Sequence, residues 1–173
     1  MRFVDFLKAT VMLSGGAATA LALVTVLAAG ADAETIVVLV IAGWWVLAAA
    51  VGTFLGRRAE TNPPISRLLA GARSTTTLPE LHPSRLLLNR LWPLLILLIG
   101  SAALALVFPQ VPAIAAGFAE IWALSWRRQD AAVTAIEERD GVAFYLERTS
   151  PFKPIQLVRT PGFRRIAPPS AAA

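Results

Sequence analysis

TIVVLVIAGWWVLAAAVGTFLG, Thr35–Gly56, is uncharged throughout and is closed by Arg57 and Arg58. As a helix at about 1.5 Å per residue it would be roughly 33 Å long, enough to cross a hydrocarbon core of about 30 Å. A buried helix of a water-soluble domain rarely needs so long an uncharged run, so the stretch is read as a transmembrane helix. The Arg pair marks its cytoplasmic end, because positive charge collects on that side of a membrane.

The flanks extend this pattern. Met1–Lys8 (MRFVDFLK) is a short amphipathic start with Arg2 and Lys8 at a cytoplasmic surface, and Ala9–Ala29 is again uncharged. Ala31-Asp32-Ala33 fits the small-residue pattern of a signal-peptidase site, but the preceding run exceeds the apolar core of about 7–15 residues that such signals carry. The first helix is therefore read as retained. Either way Thr35 is reached from outside. The connection over residues 30–34 holds Asp32 and Glu34 and no positive charge, which suits an external turn.

From Arg57 to Arg90 the chain is polar, with six Arg and two Glu. Two pieces there, Ile65–Arg73 and Ser84–Trp92, set Leu against Arg as a helix in the headgroup region would, and Ser84 is a plausible N-cap. A third span follows over Leu91–Phe108, with Pro93 in its first turn. Pro109-Gln110-Val111-Pro112 is a short outer turn, and a fourth, shorter span covers Val111–Trp126. Trp122 and Trp126 suit the interfacial aromatic belt. The expected fold is an all-α integral membrane protein of four spans (9–29, 35–56, 91–108 and 111–126) in two antiparallel hairpins. Both termini lie inside a bacterial-type plasma membrane. All 16 Lys and Arg then fall in inner segments.

Composition agrees with this reading. The 173 residues are 56% hydrophobic and 16% charged, against about 25% charged in an average soluble domain, and the mean hydropathy is +0.63. A net charge of +5 could suggest nucleic acid in a soluble protein. Here the basic residues flank apolar runs, which points to orientation and anionic lipid and not to nucleic acid.

The tail, 127–173, carries eight Lys/Arg and five Asp/Glu. Asp140-Gly141 between Ala132–Glu138 and Val142–Arg148 is a two-residue hairpin signal, with Ile155–Arg159 as a further strand. A rival reading continues a helix through Ala131–Arg139 with Gly141 as its C-cap, favoured by the Ala and Glu content. The tail is thus expected to form a cytoplasmic β-hairpin or helix-plus-strand module ending in a disordered 168–173. Strands this few are marginal alone, so the module should dock on the Arg-rich loop 57–90, the membrane surface or a partner.

Chemistry-bearing residues are sparse. There is no cysteine and one histidine; His82, between Leu and Pro, reads as a loop residue, since a metal site needs several convergent donors. No HExxH, GxSxG or GxxxxGK[ST] motif occurs, so neither enzyme activity, metal nor cofactor is expected. Glu120 stands out. It lies seven positions before Arg127, roughly 10 Å inside the cytoplasmic boundary, and an acid at that depth calls for a functional hypothesis. No Lys or Arg lies in any span, so the neutral acid is favoured. Ser14 and Thr53 fall near the same level and Ser101 farther out, as hydroxyls able to hydrogen-bond Glu120. Three readings compete for it: a proton or cation site in a carrier, a structural acid, or a partner for a cationic group of another subunit.

Two further sets follow from position. Ala48, Gly52 and Gly56 are spaced by four and include a GxxxG match, a pattern that lets helices approach closely, within the protein or in a dimer. Arg57, Arg58, Arg85, Arg90, Arg127 and Arg128 share one surface and are candidate lipid head-group contacts. The expected role is non-catalytic: an accessory or assembly subunit, with a protein partner or a second copy. A small proton- or cation-coupled carrier or channel component is the alternative.

Overall fold

The computed structural model describes residues 1–29, 34–57, 63–75, 82–108, 110–147, 149–150, 153 and 155–161. The 30–33 connection with its Ala31-Asp32-Ala33 site, Arg58, the turn residue Pro109 and the end at 168–173 lie outside the described residues. In chain order the elements are α1 (Phe3–Ala29), α2 (Thr35–Leu55), α3 (Pro63–Ala70), β1 (Arg73–Ser74), α4 (Pro83–Leu104), α5 (Gln110–Trp126), α6 (Gln129–Asp140), β2 (Val142–Leu146) and β3 (Leu157–Pro161). Among the described residues three helices, α1, α2 and α4, are long and apolar enough to cross a membrane. The chain is mostly helical and carries one small sheet.

The shortest of the four bundle helices is the central one. α1, α2 and α4 all pack on α5, and the contacts of α1 and α2 with it are far more extensive than any they make with each other. Side-chain size is the reason. The buried residues of α5 are Pro112, Ala113, Ala115, Ala116, Gly117, Ala119 and Ala123, and small residues let three neighbours come close to one axis. Leu21 of α1 packs on Ala115 and Ala116, with Leu97 and Leu98 of α4 beside them. Outward from this contact the bundle is apolar: Met12, Leu27, Leu39, Val46, Phe54 and Ile99 are between 62% and 78% exposed.

At the other end of the architecture sits a second core, assembled from segments far apart in the chain. Phe3, Val4, Phe6 and Leu7 of α1 meet Ile65 of α3, Leu86 of α4, Val133 of α6 and Val142, Phe144, Leu146 and Leu157 of the strands. The sheet order is β1-β3-β2, with β2 and β3 antiparallel and β1 parallel to β3. The start of the chain closes the free edge of β2: Arg2 bridges Tyr145, and the Leu146 N–H donates to the Met1 carbonyl at 3.2 Å.

Several expectations are corrected here. The Asp140-Gly141 hairpin does not form; residues 129–140 are helix α6, and Gly141 is its C-cap at φ 63°, donating to the Glu137 carbonyl. A tight hairpin of the favoured type needs positive φ at both central residues, and among the described residues only Gly141 has it. The helix-plus-strand alternative is the one observed, so the fold is not purely all-α. Strand β3 begins two residues later than expected and the loop 57–90 contributes α3 and β1. α1 starts at Phe3 instead of Ala9, because its first turns have a core to enter. Ser84–Trp92 and the third span form one helix, preceded by His82 and started by Pro83, and it ends at Leu104 and not at Phe108. Pro93 therefore lies inside that helix, where its ring removes one backbone hydrogen bond.

Candidate functional site

Glu120 is the one acid in the apolar body of the bundle, and α5 determines which way it points. Ile114, Phe118 and Trp122 recur every four residues and are exposed, while Glu120 is half-buried on another face. Ala116, one turn before it, packs against Leu21 of α1. Gly117 abuts the Trp44 indole of α2, and Leu124, one turn after, abuts Gly52 and Gly56 of α2. Residues three and four apart are neighbours on a helix surface. Glu120 thus lies between the strip of α5 that meets α1 and the strip that meets α2.

The hydroxyls expected around it do not assemble. Leu21 packs at Ala115–Ala116 in the antiparallel α1/α5 pair, so Ser14, seven residues earlier, falls near Ala123, about one turn beyond Glu120. It is 1% exposed, and its Oγ has no hydrogen-bond partner. Thr53 is half-buried, next to Gly52, which faces Ile121 and Leu124. Ser101 is buried one turn past Leu97, toward the end of the bundle away from the sheet. Among the described residues no hydrogen bond or ion pair reaches Glu120.

The small residues of α2 face α5 within the chain. Ala48 is fully buried; a Cβ on Gly52 would stand 2.8 Å from the Leu124 Cβ, and one on Gly56 would overlap the Leu124 carbonyl oxygen. Two indoles complete this interface. Trp45 Nε1 donates to the Ala113 carbonyl at 2.9 Å and Trp44 Nε1 to the Ile114 carbonyl at 3.3 Å. Trp44 also packs edge-on against Phe118, with centroids 5.4 Å apart. Sequence reasoning passed over this pair. The available signal was a Trp-Trp dipeptide in one apolar helix and an Ala/Gly-rich stretch in another, which says nothing about pairing. Beyond Trp44 a groove of about 400 Å³ runs between α2 and α5, lined by Ile36, Val40, Ile41, Gln110, Ala113 and Ile114 among others. A narrower one of about 160 Å³, between α1 and α4, is walled by leucines and Ala17. Both are apolar and suit hydrocarbon.

The basic candidates divide. Arg57, Arg85, Arg127 and Arg128 are exposed and form no ion pair among the described residues. Arg90 differs: its guanidinium donates to the Lys153 carbonyl at 2.6 Å and to Thr149 Oγ1, while Asn89 donates to the Thr149 carbonyl at 3.3 Å. Arg90 is therefore a tie to the segment between β2 and β3, not a free cation. Arg58 lies outside the described residues.

The sequence placed Arg2 only at a surface and did not single out Glu137; at the sheet end the two form an ion pair. Glu137 is 5% exposed; its Oε1 accepts the Phe144 N–H at 2.9 Å and its Oε2 the Arg2 guanidinium at 2.5 Å. That contact holds Arg2 above the usual arginine range. Among the described residues no three His, Cys, Asp or Glu side chains gather as metal ligands would. No family model matches the chain, and neither a curated protein nor a solved structure matches it.

Proposed function

We propose that the chain is an integral membrane protein of four crossings in a bacterial-type plasma membrane and serves as a non-catalytic accessory or assembly subunit. One observation carries the reading: an apolar, outward-facing bundle is joined to a folded polar end where all the described Lys and Arg reside. Exposed apolar area on this scale is incompatible with water, and cations gathered at one end are what the rule of positive charge inside requires. α5 makes the fourth crossing although it is only 17 residues long, because it is shielded by three longer helices. N- and C-terminal segments then both lie in the cytoplasm, with Arg57, Arg85, Arg127 and Arg128 at the anionic lipid surface.

The folded end supplies the surface for a partner. Arg67, Arg73 and Arg159 are exposed there, on α3, β1 and β3, and none is used in an ion pair among the described residues. The test is affinity purification of the full chain from its native membrane. A stoichiometric partner is expected with the unaltered chain and lost on charge reversal at Arg67, Arg73 and Arg159. Purification without any stoichiometric protein overturns the reading. Deleting the tail is a poor substitute, because it would uncover Phe3, Phe6, Ile65 and Leu86.

The carrier alternative draws on Glu120 alone. It requires that the reconstituted chain dissipate a proton or cation gradient, and that Glu120→Gln abolish the flux without changing folding.

A further inference from the structure

We propose that Glu120 is the docking point for a transmembrane helix of a different protein, one carrying a lysine or arginine at the matching depth. The inference deepens the reading of the chain as a membrane-embedded accessory subunit and rests on it. Three observations lead there. First, α1 and α2 both pack mainly on α5, and Glu120 lies on α5 between the two contact strips, half-buried and without a hydrogen bond or ion pair among the described residues. Second, a carboxyl group within the bilayer is expensive unless it is paired, and intramembrane charges characteristically pair with one another. Third, the chain has no Lys or Arg from residue 9 to 56 or from 91 to 126. Neither this copy nor a second copy carries a cation within its spans at that level, and the exposed Arg57 and Arg127 beyond it make no ion pair with Glu120 among the described residues.

The third point decides what the occupant is. A homodimer through this face would bring two acids together; a lipid headgroup would have to leave the interface to reach it. A helix with a cationic side chain about one to two turns inside its cytoplasmic boundary neutralises the charge where dielectric screening is weak.

The test uses the full chain in vesicles with synthetic Leu/Ala transmembrane peptides. One peptide carries a single Arg about 10 Å from its cytoplasmic end, a second carries Leu there, and a third carries the Arg at the mirrored depth. Energy transfer from the chain's tryptophans to a dansyl group on the peptide reports association. The matched Arg peptide should bind about tenfold more tightly than the other two, the scale of an interhelical polar contact in lipid. Glu120→Gln should erase that preference and Phe118→Ala should keep it. Equal binding of the three peptides to the unaltered chain overturns the proposal, as does a preference that survives Glu120→Gln. Self-association that depends on Glu120, with no peptide preference, overturns it in favour of paired acids between copies. If the native partner is retained equally by the unaltered chain and by Glu120→Gln, the docking site fails and the subunit reading stands. If the unaltered chain retains no partner, both fail.

Discussion

The Arg2 guanidinium meets the buried Glu137 carboxylate at 2.5 Å across 135 positions of chain, and it fastens the residue preceding α1 to α6. Glu137 is 4% exposed at the side chain and Arg2 49%, so the two ends of the contact are not equivalent. Removing Glu137 also orphans the Phe144 N–H. Glu137→Ala should therefore cost about 2–4 kcal/mol, and Arg2→Ala about 1–3 kcal/mol. Hydrogen exchange of the β2 amides measures both, with the Glu137 variant the less protected.

Gly117 and Trp44 should be coupled. A Cβ at Gly117 would overlap the Trp44 indole nitrogen, which donates to the Ile114 carbonyl. Gly117→Ala is expected to lower stability by about 1–3 kcal/mol in the unaltered chain, and by much less in a Trp44→Ala background. Thermal unfolding of the four species in detergent gives the interaction energy; simple additivity would contradict the packing described.

Gly141 is required for its backbone and not for space. Its φ is 63° and nothing lies within 4 Å of a Cβ built there. Gly141→Ala should cost about 1 kcal/mol, the ordinary penalty of a left-handed alanine, and Gly141→Asn less. A larger loss in the melting profile of Gly141→Ala would mean that the site is crowded.

Gln129 at the start of α6 is 1% exposed, and neither its Oε1 nor its Nε2 has a partner. A buried amide without hydrogen bonds is unfavourable, and an apolar group of similar shape removes the penalty. Gln129→Met should raise the melting temperature, by an amount equivalent to about 1–3 kcal/mol. A fall would show that the amide is used.

Much of the bundle was legible because its signal is local. A helix of about 20 apolar residues can be read from composition alone, which is why α2 was placed within a residue and α4 and α5 were recognised. The gathering of cations at one end was legible for the same reason. Gly52 and Gly56 could be marked as close-approach positions, though their partner Leu124 could not.

The tertiary structure decided everything that depends on distant neighbours. The choice between hairpin and helix at 129–140 was locally balanced, and the αL conformation at Gly141 with Asp140 still helical settled it. Arg90 looked like a lipid-facing cation until the segment around Thr149 and Lys153 folded onto it. Counting from the boundaries put Ser14 near the level of Glu120, but the register of α1 against α5 sets it about one turn away, and Thr53 sits beside a glycine that faces Ile121 and Leu124. Depth follows from counting residues along one helix; who faces whom follows from how small side chains let α1, α2 and α4 close around α5, a property no single segment carries.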